Sequence, residues 1–186
     1  MKRIFDLLLV TLMLALMIIP MLFIFIVIRL TSKGPALYWS NRVGKNNIIF
    51  KMPKFRSMLI DTPIVASHLL DNPNSFLSPI GGFLRSSSLD EFPQLFSVLK
   101  GDMSLVGPRP ALYNQDDLIE LRANKGVDKL RPGMTGWAQI NGRDTITIAD
   151  KVSLDIEYMN RRSFWFDVSI LFKTFFYVFK KNKVSH

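Results

Sequence analysis

The 186-residue sequence predicts an α+β chain, predominantly helical, in two parts: a membrane-embedded helical segment over residues 1–30 and a folded domain over residues 31–186. Three observations carry that prediction. A nearly continuous apolar run from Leu7 to Ile28 has the length of a membrane helix, roughly 20 residues. The stretch from Ala36 to Met58 sets Val43, Ile48, Ile49 and Phe50 among turn and basic residues, as strands and turns do. Leu89, Phe92, Leu95, Phe96 and Leu99 recur at helical spacing.

Composition narrows the chemistry before any element is placed. The apolar share, 48%, is too high for a disordered chain. There is no cysteine, which excludes disulfides, thiolate metal sites and cysteine nucleophiles, and a reducing cytosolic setting fits. Two histidines, His68 and His186, do not make a histidine metal site and leave a Ser/His/Asp triad without support. Acid–base or nucleophilic work therefore falls to Asp and Glu. The net charge of +9 suits nucleic acid, anionic lipid or a phosphorylated substrate.

In the N-terminal run "LLLVTLMLALMIIPMLFIFIVI" only Thr11 and Pro20 are not apolar. It is too long for a signal-peptide core and no small-x-small cleavage site follows, so it is expected to stay in the mature protein. Lys2 and Arg3 precede it, and Arg29 and Lys33 follow it, so loop charge does not orient a span. Two topologies are open. Pro20, which lacks a backbone N–H, bends the segment into a re-entrant helix-break-helix with both ends on one side, or it is a tolerated kink in a single span.

The later elements follow in order. In "KFRSM" an extended backbone puts Lys54 and Arg56 on one face and Phe55 on the other, as an anion site or as a solvated basic edge. "DTPIVASHLLDNPNSFLSPIGG" is punctuated by prolines and a Gly-Gly pair and reads as turns or loop. Near the C-terminus, "SFWFDVSILFKTFFYVFKKNK" is dense in aromatics but interrupted by Asp167 and Lys173. It reads as an amphipathic helix lying in a membrane interface, or as a core helix.

Between these lies the stretch "RSSSLDEFPQLFSVLKGDMSLVGPRP". Its periodicity predicts a helix of about Asp90 to Lys100, with Pro93 in the first turn and Gly101 as the stop. Ser88-x-x-Glu91 fits a capping box, so a purely structural role for the acidic pair is open. Arg85 precedes the pair, and Arg109 is held extended between two prolines, where its guanidinium can match phosphate oxygens. A carboxylate at a helix start among cations is expected to have a lowered pKa, and so to act as nucleophile or metal ligand rather than general acid. Further on, "RPGMTGWAQINGR" packs three glycines and a proline around polar side chains and ends at Arg143.

"LDEFPQLFSVLKGDMSLVGPRP", "RPGMTGWAQINGR" and "KFRSM" together resemble the bacterial sugar transferase family, the small monotopic polyprenyl-phosphate phosphoglycosyltransferases. The resemblance runs from the hydrophobic segment almost to the C-terminus. It implies a catalytic dyad at Asp90 and Glu91, with Mg2+ at both carboxylates. Substrate phosphates would meet Arg85, Arg109, Arg143, Lys54 and Arg56. It also implies a re-entrant N-terminal helix in the bacterial inner membrane and a catalytic domain on the cytoplasmic face against anionic phospholipid; no nucleic-acid partner is expected, because part of the basic charge flanks the apolar segment and no nucleic-acid-binding motif is present. A homo-oligomer stays open.

The implied reaction moves a sugar-1-phosphate from a UDP-sugar to undecaprenyl phosphate and releases UMP, opening the assembly of a bacterial glycoconjugate. Asp90, kept ionised by the helix start, its dipole and nearby cations, is expected to attack phosphorus through a covalent aspartyl phospho-sugar; adjacent helical residues point about 100° apart, so the two carboxylates do not readily attack one atom, and Glu91 is expected to do orienting or Mg2+-linked work. Two departures stand out: Ile19 where the family often has serine before the proline, and Asn46–Asn47 after "NRVGK" where a glycine is common. The rival reading is a single-span membrane adaptor with a basic cytosolic domain. It gives the Asp90–Pro110 constellation no task.

Overall fold

The structure is a computed structural model that describes residues 2–63, 72–142 and 146–181, with side chains to residue 176. Helix α1 runs Lys2–Thr31 with Pro20 inside it. The helix-break-helix expected at Pro20 is one helical element instead. A proline removes one backbone hydrogen bond, and the turns on either side continue.

One stripe of α1 is buried: Asp6, Val10, Met21, Ile24 and Ile28, spaced so that they share a face. Its N-terminal half packs into a core with Leu95, Val98, Met103, Leu105, Tyr158 and Ile170. Its C-terminal half packs with Ala36, Phe55 and Leu84. The opposite face, with Leu8, Leu16, Ile19, Phe23 and Leu30, is exposed. Both ends of α1 therefore touch the same folded body, and the first residues are tied to it by polar contacts. Lys2 Nζ pairs with Asp167 and donates to the Val106 carbonyl at 3.1 Å. Arg3 donates to the carbonyls of Val98 (2.6 Å) and Leu99 (2.8 Å).

The strand–turn–strand expectation holds. Strands β1 (Leu37–Val43) and β2 (Ile49–Phe55) form an antiparallel hairpin in the register Leu37↔Phe55 to Val43↔Ile49. Its turn puts Asn46 (φ 56) and Asn47 (φ 59) both in the left-handed region. Asparagine is the residue after glycine that tolerates this conformation, which explains the Asn-Asn departure.

In the stretch expected as turns or loop, Pro73–Phe76 is a 3₁₀ turn but Gly81–Gly82 open a short helix, α2 (Gly81–Ser86). Gly81 is needed there because a Cβ would lie 2.0 Å from the Ser57 carbonyl oxygen. Residues 64–71 of that stretch, His68 among them, lie outside the described residues.

The helix expected from Asp90 to Lys100 is two elements. Leu89–Glu91 is a 3₁₀ turn, and α3 begins after Pro93, at Gln94–Lys100. The capping box does not form. Ser88 adopts φ 60 and its side chain makes no capping bond, so the chain turns through the left-handed region just before the acidic pair.

Strand β3 (Ser104–Val106) pairs in parallel with β4 (Gly133–Thr135). Between them lies α4 (Asp116–Asn124), and after them come α5 (Trp137–Ile140), α6 (Ile148–Arg161) and α7 (Phe164–Lys181). In α7, Ile170 is in the core while Trp165, Phe172, Phe175 and Phe176 are exposed. Asp167, which interrupted the aromatic run, is buried and accepts from Tyr158 Oη at 2.8 Å as well as from Lys2.

Candidate active site

Asp90 sits in the 3₁₀ turn between α2 and α3, only 8% exposed. Glu91, beside it, is engaged by hydrogen bonds. Its Oε1 accepts from Lys54 Nζ at 2.9 Å and from Arg109 Nη2 at 3.1 Å. The acidic pair thus divides into one carboxylate bonded to two cations and one buried carboxylate on which Lys54, Arg85 and Arg109 act by charge. Strand β2 delivers Lys54 because alternation sends Phe55 into the core behind it. Arg85, at the end of α2, donates to Met58 Sδ at 3.4 Å and acts electrostatically on Asp90.

Arg109 arrives on the loop after β3, and that loop is fastened from three sides. Arg42 Nη1 donates to the Pro110 carbonyl (3.1 Å) and Arg122 Nη1 to the Arg109 carbonyl (2.8 Å). At the loop's base Gly107 donates to the Thr135 carbonyl (2.9 Å). The glycines of "RPGMTG" permit that approach: a Cβ on Gly133 would lie 2.1 Å from the Gly107 nitrogen, and one on Gly136 2.1 Å from its carbonyl oxygen. Behind the loop, Arg122 grips Asp155 of α6 through Nε (2.9 Å) and Nη2 (2.6 Å), a buried ion pair.

The lowered pKa expected for Asp90 is corrected. Burial pushes its carboxyl above the ordinary value, and the neighbouring Glu91 adds to that. Lys54, Arg85 and Arg109 pull the other way without overcoming it. Burial likewise pushes Lys54 down, against the pull of Glu91. Arg42 is pushed down to about 10, first by burial and then by the charge of Arg109. Cations that are costly to keep desolvated surround a carboxylate that is costly to keep ionised. An incoming phosphate, rich in negative charge and acceptor oxygens, would satisfy the cations.

Of the residues named from sequence, Asp90, Glu91, Lys54, Arg85 and Arg109 come together. Arg56 lies just past the end of β2, and its Nε donates to the Pro35 carbonyl at 2.8 Å. Arg143 lies outside the described residues. Three residues were missed: Arg42, Arg122 and Asp155. Arg42 carried a signal in "NRVGK", but Arg122 and Asp155 stand in ordinary amphipathic helices with nothing local to mark them.

The family model described as Bacterial sugar transferase matches residues 1–181. The chain belongs to that family. It is 38% identical over 184 residues to a UDP-glucose:undecaprenyl-phosphate glucose-1-phosphate transferase of Escherichia coli (strain K12), covering 94% of this chain and 39% of that protein. It is 38% identical over 192 residues to an undecaprenyl-phosphate galactose phosphotransferase of Salmonella typhimurium, covering 93% of this chain and 39% of that protein. An uncharacterized sugar transferase of Bacillus subtilis, EpsL, is 39% identical over 172 residues, with 91% and 83% covered. The chain thus spans about two fifths of the two named transferases. In this family member the sequence blocks that carried the resemblance meet in space: "LDEF" supplies the pair, "VGPRP" the arginine on the anchored loop, and "RPGMTG" the strand that anchors it.

Proposed function

We propose that this sugar transferase moves a sugar-1-phosphate from a UDP-sugar to undecaprenyl phosphate, with Asp90 as the nucleophile. A carboxylate oxygen of Asp90 attacks the sugar-bearing phosphorus, and the bond from that phosphorus to the bridging oxygen breaks. UMP leaves with the electron pair. An oxygen of undecaprenyl phosphate then attacks the same phosphorus, the acyl-phosphate bond breaks, and Asp90 is restored as a carboxylate. Atoms and charge balance in both halves.

The observation that carries this reading is the division of labour in the pair. Glu91 is bonded to Lys54 and Arg109, whereas Asp90 is buried among cations that act on it by charge. Glu91 therefore orients the two cations that meet the phosphates. A carboxylate whose proton affinity is raised by burial is also the better nucleophile once ionised. Arg109 on its anchored loop and Arg85 on α2 hold the diphosphate oxygens in line.

Magnesium would enter this site together with the substrate phosphates. Mg2+ typically takes one or two carboxylates and completes its shell with phosphate oxygens and water. Among the described residues no cluster of three or more His, Cys, Asp or Glu could hold a metal by itself. Asp90 would hold the ion, with Glu91 beside it, and the ion would neutralise charge on the diphosphate.

The membrane arrangement that goes with this function is re-entrant, with both ends of α1 on the cytoplasmic face of the inner membrane and α7 in the interface. The contacts at the two ends of α1 support it. A helix of 30 residues is about 45 Å long, so a perpendicular span would carry Lys2 and Arg29 to opposite faces of a hydrocarbon core about 30 Å thick. Here Arg3 holds the end of α3 while Ile28 packs on Phe55 and Leu84 of the same body.

The test is an intact mass measurement on protein incubated with a panel of UDP-sugars and no lipid acceptor. A sugar-phosphate adduct on wild type that Asp90→Asn lacks, with UMP released before undecaprenyl phosphate is added, is the expected result. If no substrate that is turned over leaves an adduct, and UMP appears only with both substrates bound, direct attack by the lipid phosphate replaces this mechanism.

A further inference from the structure

Strand β3 ends at Val106, and the peptide unit that joins Val106 to Gly107 is held on both of its edges. Its N–H donates to the Thr135 carbonyl of β4 at 2.9 Å. Its carbonyl accepts from Lys2 Nζ at 3.1 Å and lies 3.1 Å from Tyr158 Oη. A peptide unit is planar, so bonds on opposite edges fix the orientation of the whole plane and the direction in which the chain leaves it. The chain leaves it into Pro108 and Arg109.

The side chains on the carbonyl edge come from three helices. Lys2 is in the first turn of α1, Tyr158 is on α6, and Asp167 of α7 accepts from both. Every proton in the group has an acceptor. The three ammonium protons of Lys2 meet the Val106 carbonyl, Tyr158 Oη (3.4 Å) and Asp167 Oδ2, and the phenolic proton is shared between Asp167 Oδ1 at 2.8 Å and the Val106 carbonyl. Burial first, and the charge of Asp167 next, push the Tyr158 phenol above its ordinary value, so it stays protonated and donates. Val106, Tyr158 and Asp167 are all buried. A carbonyl released at this depth has no ready solvent partner, so the network has one low-energy arrangement.

This arrangement bears on the candidate site through the backbone. Arg42 and Arg122 hold the Pro110 and Arg109 carbonyls, in the middle and far part of the loop. The clamped peptide holds its start, and the Gly133 N–H adds a bond to the Pro108 carbonyl at 2.9 Å. A loop fixed at several points along its length presents its arginine in one place.

We propose that Lys2, Tyr158 and Asp167 are positioning residues for Arg109: they hold the Val106–Gly107 peptide and so set where the Arg109 guanidinium meets the substrate diphosphate. Because Lys2 belongs to the apolar helix, the same clamp makes turnover depend on the seating of the start of α1 against the domain. The role of Arg109 in this rests on the reaction proposed above; the clamp itself rests on the hydrogen bonds.

The test compares the full chain in detergent with Tyr158→Phe, which removes the hydroxyl and keeps the ring against Phe166, and with Lys2→Met, which removes the ammonium and keeps the stem. Each substitution is made in wild type and in Arg109→Lys, and kcat for UMP release is measured with undecaprenyl phosphate and a UDP-sugar that is turned over. In wild type each should lower kcat by about tenfold, since misplacing a phosphate-binding group by about 1 Å costs up to about 100-fold. In Arg109→Lys the further loss should shrink to about twofold or less, because the fork being positioned is already gone and the two changes are not independent. A residue that only supports the fold lowers kcat by the same factor in both backgrounds, and that result overturns the proposal. Near-normal kcat in both single variants overturns it too. Hydrogen exchange read by mass spectrometry follows the clamp without turnover: the peptide covering residues 104–112 should exchange faster in both variants while the β1–β2 hairpin exchanges as in wild type, and unchanged exchange over 104–112 overturns the clamp. A wild-type chain that releases no UMP from any UDP-sugar defeats the proposed reaction instead, and the exchange result then decides whether these side chains hold the loop.

Discussion

Replacing Arg122 separates the two roles of the buried pair behind the candidate site. Arg122 spends Nε and Nη2 on Asp155 (2.9 and 2.6 Å) and Nη1 on the carbonyl of Arg109 (2.8 Å), with both side chains nearly excluded from solvent. Arg122→Met removes one partner of a buried pair and should cost about 3–5 kcal/mol of stability, because Asp155 is left charged and desolvated. Burial already raises the Asp155 carboxyl above its ordinary value even with Arg122 present. Without Arg122 the rise is larger. A raised folded-state pKa means the penalty is absent at low pH and grows as pH rises through it, so the loss should be greater at pH 8 than at pH 5.

Adding Asp155→Leu removes the stranded charge, and stability should return most of the way, since an apolar pair of similar volume is often neutral or better. Activity should not return. The Arg109 carbonyl still lacks its donor, the loop shifts, and small misplacements of a phosphate-binding group cost up to about 100-fold in turnover. Denaturant unfolding in detergent followed by tryptophan fluorescence, beside a UMP-release assay, reads the two quantities. Full recovery of turnover in the double variant would refute a positioning role, and a single-variant loss under about 1 kcal/mol would refute the buried-pair reasoning.

Other expectations follow from the same geometry. Asp90→Asn should abolish turnover yet raise thermal stability at pH 7; its raised carboxyl disfavours the ionised folded state, so the gain should shrink towards pH 4, as melting curves at the two pH values would show. Arg109→Lys keeps the charge but loses the planar fork that can bond Glu91 and a phosphate together, and kcat should fall by about tenfold or more with the fold retained in circular dichroism. For the topology, cysteines at Lys2 and Lys33 should both be shielded from a periplasmic thiol reagent. Pro20→Leu should make Lys2→Cys reactive if the proline shapes the re-entrant form, and unchanged labelling would shift that role to the contacts of Lys2 and Arg3.

Much of this was legible in the chain itself. Apolar content and length marked α1 and strand-and-turn composition marked β1 and β2, because these signals are local and depend on side-chain type alone; the adjacent Asp90 and Glu91 were marked as a candidate pair by the resemblance and by the arginines on either side of them. The boundaries near Asp90 were less legible. Helical spacing continues through Leu89–Glu91, but Ser88 at φ 60 and Pro93 at the cap split the run into a 3₁₀ turn and α3.

What only the tertiary structure decided is how the charges are shared. Sequence placed Asp90 among cations and so at a lowered pKa; the fold buries it, and desolvation reverses the sign. Sequence set Lys54 and Arg56 at equal standing on one face; the fold ties Lys54 to Glu91 and turns Arg56 to the Pro35 carbonyl. Arg122 and Asp155, 33 positions apart, had no local mark. Burial and ion pairing depend on which distant segments share a volume, and that depends on packing across the whole chain rather than on the order of residues within any one segment.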